Sequence, residues 1–127
     1  MAGGRRVIVG IGLDLQRIDG IEAAEALRTP GPVFSDAECR HAASRRSPAS
    51  ALACGFAAKE AFFKSLPEPT AYFWTDMEVL CDDGREARFR FHGDLAALLA
   101  AKRWEVRLSL AQGGGYASAF VAISTRS

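Results

Sequence analysis

Phe56-Ala57-Ala58-Lys59-Glu60-Ala61-Phe62-Phe63-Lys64-Ser65-Leu66 is the stretch from which the rest of the chain is read. Together with Leu52, its apolar residues Phe56, Phe62, Phe63 and Leu66 are spread too widely around a helix for a surface position. A long central helix is therefore expected from about Ser50 to Leu66. Glu60 and Lys64 stand at i and i+4, one turn apart on one face, in the favourable acid-before-base order. An isolated pair of this kind is most simply a solvated salt bridge worth a few tenths of a kcal/mol. On so apolar a helix the charged face is narrow, and the pair is expected to border a cleft.

Upstream, Val7 to Leu13 is a β-branched apolar run that reads as a buried strand, closing on Gly10-Ile11-Gly12-Leu13-Asp14. Asp14 suits either a site at the strand's end or the cap of a following helix. If it faces Glu60, two acids beside a lysine suit a magnesium-bound phosphate ester, because magnesium takes one or two carboxylates plus substrate phosphates.

The elements between and beyond follow from spacing and breakers. Ile18, Ile21, Ala24 and Leu27 recur at helical spacing until Thr29-Pro30-Gly31-Pro32 stops them. Ser35 followed by Glu38 has capping-box spacing, so a second helix is expected from there to about Arg45, with Ser47-Pro48 as a break. After Pro67-Glu68-Pro69, strands are expected at Phe73 to Leu80 and Ala87 to Phe91 around a turn at Asp82-Asp83-Gly84-Arg85. Asp94 to Lys102 reads as a helix. A last hairpin pairs Glu105 to Ala111 with Tyr116 to Ile123 across Gln112-Gly113-Gly114-Gly115.

Composition sets the bounds. The 127 residues, 49% hydrophobic and 24% charged, suit one ordinary domain spanning 1–127, and a net charge of +1 supplies no field for nucleic acid or an anionic membrane. The three cysteines, Cys39, Cys54 and Cys81, show no C-x-x-C spacing and are expected to be reduced thiols in cytoplasm. No apolar run is long enough to span a bilayer. His41 and His92 have no partner at ligand spacing and read as surface or loop residues. Trp74, Trp104, Phe62 and Phe63 read as core, while Tyr116 suits either a cleft wall or sheet packing.

Gly10-Ile11-Gly12-Leu13-Asp14, then Phe56-Ala57-Ala58-Lys59-Glu60-Ala61 with Lys64, then Leu108-Ser109-Leu110 before Tyr116-Ala117 together resemble the 4′-phosphopantetheinyl transferases of the holo-acyl-carrier-protein synthase type. The likeness runs over nearly the whole chain. It implies a compact α+β domain, an antiparallel sheet packed with a long central helix, and a homotrimer with its sites at protomer interfaces. It also implies transfer of the phosphopantetheine arm of coenzyme A to a serine of an apo carrier protein, with adenosine 3′,5′-bisphosphate released. Asp14 and Glu60 would hold Mg2+, Lys64 would contact the diphosphate, and Glu60, directly or through a metal-bound water, would deprotonate the serine. Phe56, Lys59, Arg85, Ser109 and Gln112 would join Lys64 in binding substrate, and Arg17, Arg28 and Arg45 would dock the carrier.

The chain departs from this pattern at four places. Gly55 stands where an arginine commonly precedes the phenylalanine, and Gln112 where the usual residue is histidine. Gly84-Arg85-Glu86 replaces a glycine-lysine-proline turn. The first helix, typically basic, carries Asp19, Glu22 and Glu25 beside Arg17 and Arg28. A domain that retained coenzyme A or carrier binding while losing turnover is the alternative these departures raise.

Overall fold

The computed structural model describes residues 5–23, 30–80 and 87–126. Strand β1 (Arg6–Arg17) leads into α1 (Ile18–Ala23), then α2 (Asp36–Ala43) and the long α3 (Pro48–Ser65). A 3-10 turn (Trp74–Asp76) precedes β2 (Met77–Leu80) and β3 (Arg88–Phe91), followed by α4 (Gly93–Lys102), β4 (Trp104–Gly113) and β5 (Tyr116–Arg126). The strands form an antiparallel sheet in the order β1-β5-β4 and a separate antiparallel pair, β2-β3. Helix α3 packs on the inner face of the larger sheet, so the architecture is the expected α+β one with a long central helix.

Local chemistry accounts for most boundaries. The capping box forms as expected: Glu38 N donates to Ser35 Oγ at 3.2 Å and Ser35 N donates to Glu38 Oε1 at 3.1 Å. Pro48, expected to break the chain, is instead the first residue of α3, with Ser47 Oγ accepting from Ser50 N at 3.3 Å. Proline suits that position because the N–H it lacks would have had no partner in the first turn. Between β4 and β5, Gly114 and Gly115 take φ of 59° and 84°, a two-residue turn that a side chain would strain. The strand expected to begin at Phe73 starts only at Met77, because Trp74–Asp76 coil into the 3-10 turn. The expected turn at 82–85 and the second half of the first helix lie outside the described residues.

Two apolar clusters share α3. One joins Ala57, Ala58, Ala61 and Phe62 to Met77, Val79, Leu95 and Leu99 and to the sheet residues Leu108, Ala119, Val121 and Ile123. The other joins Ala53 and Cys54 to Ile21, Phe34, Ala42 and Ala117. Phe62 is wholly buried among Tyr72, Phe89 and Phe91, whereas Phe63, expected in the core, is half exposed.

Strand β1 departs most from its reading. It runs on through Asp14 to Arg17, and only one of its faces is buried. Ile11, Leu13 and Leu15 on the other face are 59%, 64% and 61% exposed, beside Phe120 of β5 at 43%. An apolar run reports strand formation but not which face the rest of the chain covers.

Candidate active site

The site begins with two glycines that bring β1 against α3. A Cβ on Gly10 would stand 1.7 Å from Ser65 O, and one on Gly12 would stand 1.8 Å from Ala61 O. No side chain fits there, so β1 lies directly on the helix backbone at these two positions. Two residues further on, the same strand face presents Asp14, which is nearly buried. Lys64 Nζ donates to Asp14 Oδ1 at 2.8 Å, and Gln16 Nε2 donates to Asp14 Oδ2 at 2.6 Å. The hydrogen bond to Asp14 pushes the Lys64 ammonium above its ordinary pKa.

Glu60 lies between this pair and an aromatic wall. At about 3.6 residues per turn, positions 56, 60, 63 and 64 share one face of α3. Trp74 packs against both Phe56 and Phe63, with ring centroids 6.3 and 6.1 Å apart. Glu60 therefore has rings on one side and the Asp14–Lys64 pair on the other. Burial, followed by the nearby Asp14 carboxylate, pushes the Glu60 carboxyl above the usual range, with Lys64 pulling the other way. The ion pair that Lys64 makes is across elements, to Asp14, and not the expected pair along the helix.

The remaining candidates are placed as follows. Phe56 flanks Glu60. Lys59 points away from it: its buried ammonium donates to Val33 O at 2.6 Å, Glu38 Oε1 at 2.7 Å and Trp74 O at 3.1 Å. Three N–H groups and three acceptors leave Lys59 no donor for a substrate, so its contribution is made through the scaffold. Gln112 lies on the same sheet face as Asp14, in register with Ala117 and Gln16, and accepts from Cys54 Sγ at 3.5 Å. Ser109 is in register with Phe120 and Leu13 on the opposite face, so the sheet itself separates it from Asp14, Glu60 and Lys64 of its own chain.

Arg17, at the end of β1, is paired to Asp19 at 2.9 Å with both side chains exposed, and Arg45 lies just past α2. Arg28 and Arg85 lie outside the described residues. Gly55 packs closely here: a Cβ on it would sit 3.2 Å from Phe34 Cε1, so a side chain at this position needs the buried ring to shift by a few tenths of an ångström. Sequence reading missed Gln16 and Trp74. Gln16 was legible by strand alternation from Asp14, once β1 is extended beyond Leu13. Trp74 carries no local signal, since its place depends on the chain folding back along α3.

The donors suit a hard cation. Among the described residues no three His, Cys, Asp or Glu side chains converge. What the chain offers is two carboxylates, one of them raised by burial and by the other's charge, which a cation would relieve, beside a lysine. That donor set fits magnesium shared with a phosphate ester better than it fits a closed all-protein cage.

An α+β domain whose central helix sets a carboxylate and a lysine against a strand-borne carboxylate has the parts for phosphoryl-group chemistry. The family model of the 4′-phosphopantetheinyl transferase superfamily matches residues 10–121, and the chain belongs to that superfamily of transferases. It is 40% identical over 119 residues to the holo-[acyl-carrier-protein] synthase of Clavibacter michiganensis, covering 91% of this chain and 94% of the relative. Against the corresponding synthase of Streptomyces avermitilis the identity is 38% over 120 residues, covering 90% and 95%. Among solved structures, the ACPS–CoA complex of Chronobacterium ammoniagenes superposes with a TM-score of 0.72 at 33% identity, covering 94% and 96% of the two chains. The synthase structure from Neisseria meningitidis, 24% identical, shares the fold with a TM-score of 0.80 over 92% and 98%.

Proposed function

We propose that the protein transfers the 4′-phosphopantetheine arm of coenzyme A to a serine hydroxyl of an apo acyl, peptidyl or polyketide carrier protein. The observation that carries this reading is the Asp14–Lys64 contact of 2.8 Å beside Glu60, in a chain of this superfamily. The coenzyme A bound in the Chronobacterium ammoniagenes structure supports the donor, and the names of the curated relatives support the acceptor.

The serine oxygen bonds to the phosphorus that bears the pantetheine arm. The bridging P–O bond of the diphosphate breaks, and adenosine 3′,5′-bisphosphate leaves with the electron pair. Lys64 stabilises the negative charge that grows on the diphosphate as this bond lengthens. Glu60 takes the serine proton. Mg2+, held by Asp14 and Glu60 against the diphosphate, would neutralise charge there when bound. Gln16 keeps Asp14 oriented, and Phe56 with Trp74 shields Glu60 from bulk water.

The working form is proposed to be a homotrimer, with the apolar outer face of β1 and β5 covered by further copies. Ile11, Leu13, Leu15 and Phe120 form a contiguous patch of the kind that marks an association surface. Ser109 shares that face, and contacts substrate in the interface between protomers. Arg17, Arg28 and Arg45 are the proposed carrier-docking residues, with the exposed Asp19 on Arg17 moderating its charge. A cytoplasmic setting is proposed for the protein, in which Cys39 is a free thiol, and no helix among the described residues is long and apolar enough to cross a membrane.

The test is intact-mass spectrometry of apo carrier proteins incubated with the protein, coenzyme A and magnesium, with a magnesium-free control. A magnesium-dependent gain of one phosphopantetheine is expected. No gain on any carrier, with coenzyme A binding retained, would make the domain a binding module.

A further inference from the structure

The mechanism above makes no use of a buried ion pair on the far side of α3 from Lys64. Lys59 and Glu38 form an ion pair of 2.7 Å in which the lysine side chain is wholly buried and the glutamate nearly so. Burying both is costly, and such pairs persist when geometry demands them more often than for stability. Every remaining polar atom of the pair is engaged. Glu38 Oε2 accepts from Val79 N at 3.1 Å, and Oε1 also accepts from Ser35 N at 3.1 Å. Lys59 holds the carbonyls of Val33 and Trp74. Ser35 extends the network outward by donating to Glu78 Oε2 at 2.7 Å.

Lys59 directly precedes Glu60, and its direction differs from that of Glu60 by about 100° around α3. Three fixed acceptors for its ammonium set the rotation of the helix about its own axis, and so the direction in which Glu60 projects. The same ammonium fixes the Trp74 carbonyl, and the Trp74 ring supplies the wall against Phe56 and Phe63 beside Glu60.

We propose that Lys59 and Glu38 are positioning residues of the transferase: a buried latch that fixes the azimuth of α3 and the Trp74 wall, and thereby aims Glu60 at the reacting serine. The proposal takes the role of Glu60 from the function proposed above. It touches neither substrate nor metal directly, and it separates the orientation of Glu60 from the stability of the fold.

The paired replacement Lys59→Met with Glu38→Gln removes both charges, with glutamine matching glutamate in length and methionine one atom shorter than lysine. Its thermal unfolding midpoint, amide chemical shifts and steady-state kinetics are compared with the parent's. The expected result is a folded protein whose kcat falls by about tenfold or more with the KM for the carrier little changed. The Lys64 amide and the Trp74 indole N–H signal should move, together with the amides of the β5 residues packed on α3. A folded double variant with parental kcat, or with unmoved Lys64 amide and Trp74 indole N–H signals, would overturn the proposal.

If the double variant does not fold, Glu38→Asp keeps both charges and shortens the arm by one methylene, and it is read by the same two measurements. The amide shifts report on the latch whether or not the parent transfers phosphopantetheine. Absence of transfer by the parent therefore counts against the proposed function and leaves the latch to be judged on the shifts alone.

Discussion

Gly12 lies so near α3 that a Cβ added to it would stand 1.8 Å from the carbonyl oxygen of Ala61. Backbone meets backbone there, and neither can move aside as the end of a flexible side chain could. Gly12→Ala is therefore expected to destabilise the fold by about 3 kcal/mol, the upper end of ordinary overpacking. Because Asp14 follows on the same strand, activity should fall even below the unfolding temperature. Urea titration alongside the transfer assay checks both parts; a variant of parental stability would mean that β1 does not rest on α3.

Glu60→Gln is expected to abolish transfer. Ionised Glu60 is disfavoured in the fold by burial and by Asp14, and neutral glutamine relieves both. Without divalent metal at neutral pH, the variant should thus unfold at a slightly higher temperature than the parent, and the difference should vanish as pH falls and Glu60 itself is protonated. Differential scanning fluorimetry in EDTA across pH reads this directly. A lower midpoint in the variant would show Glu60 to be a net stabilising group.

Lys64→Met tests the charge opposite Asp14. The lysine side chain is half exposed but its partner Asp14 is nearly buried, so removal of Lys64 should destabilise the fold by about 1–3 kcal/mol. If Lys64 supports charge that grows on the diphosphate, kcat should drop by about a hundredfold. Parental kcat in this variant would confine the pair to holding β1 on α3.

Leu13→Arg places a charge at the centre of the exposed apolar face, in register with Phe120. The isolated fold has room for it, since the side chain points outward. Sedimentation velocity should show a trimeric parent and a monomeric variant with unchanged circular dichroism. A monomeric parent would remove the proposed interface sites.

Glu78 supplies a pH dependence. Burial raises its pKa, but hydrogen bonds from Ser35, His92 and Arg90 outweigh this and hold it at about 2, below the ordinary 4.5. A depressed carboxylate contributes stability that is present above its unfolded value and is lost as pH falls through the folded one. The Glu78 contribution should therefore disappear between about pH 4.5 and 2. Urea unfolding of Glu78→Gln and of the parent should differ at neutral pH and converge across that window; a constant difference would place the effect in packing.

Patterns that act within a few residues were legible in the sequence. The capping box at Ser35, the glycine turn between β4 and β5 and the long apolar helix all rest on local backbone chemistry or on recurring spacing. Together with the family resemblance these sufficed for the α+β class, and they singled out Asp14, Glu60 and Lys64 as candidates. Boundaries that failed did so for nameable reasons: Pro48 begins a helix as readily as it ends one, and β1 continues past Leu13 because β5 pairs with it through to Arg17.

Tertiary structure alone decided which side chains those local elements bring together. A sequence shows Glu60 and Lys64 as a helical pair, but the ammonium turns to Asp14 because β1 lies on the helix backbone and offers a nearly buried carboxylate. Lys59 and Lys64 look alike in the chain, yet about 140° of helix rotation puts one inside three acceptors and leaves the other at the cleft. The same holds for Leu13 and Asp14, neighbours that alternation sends to opposite faces of one sheet. Local propensity fixes each element's form, whereas burial and partner choice depend on residues far away in sequence, which meet only when the chain is packed.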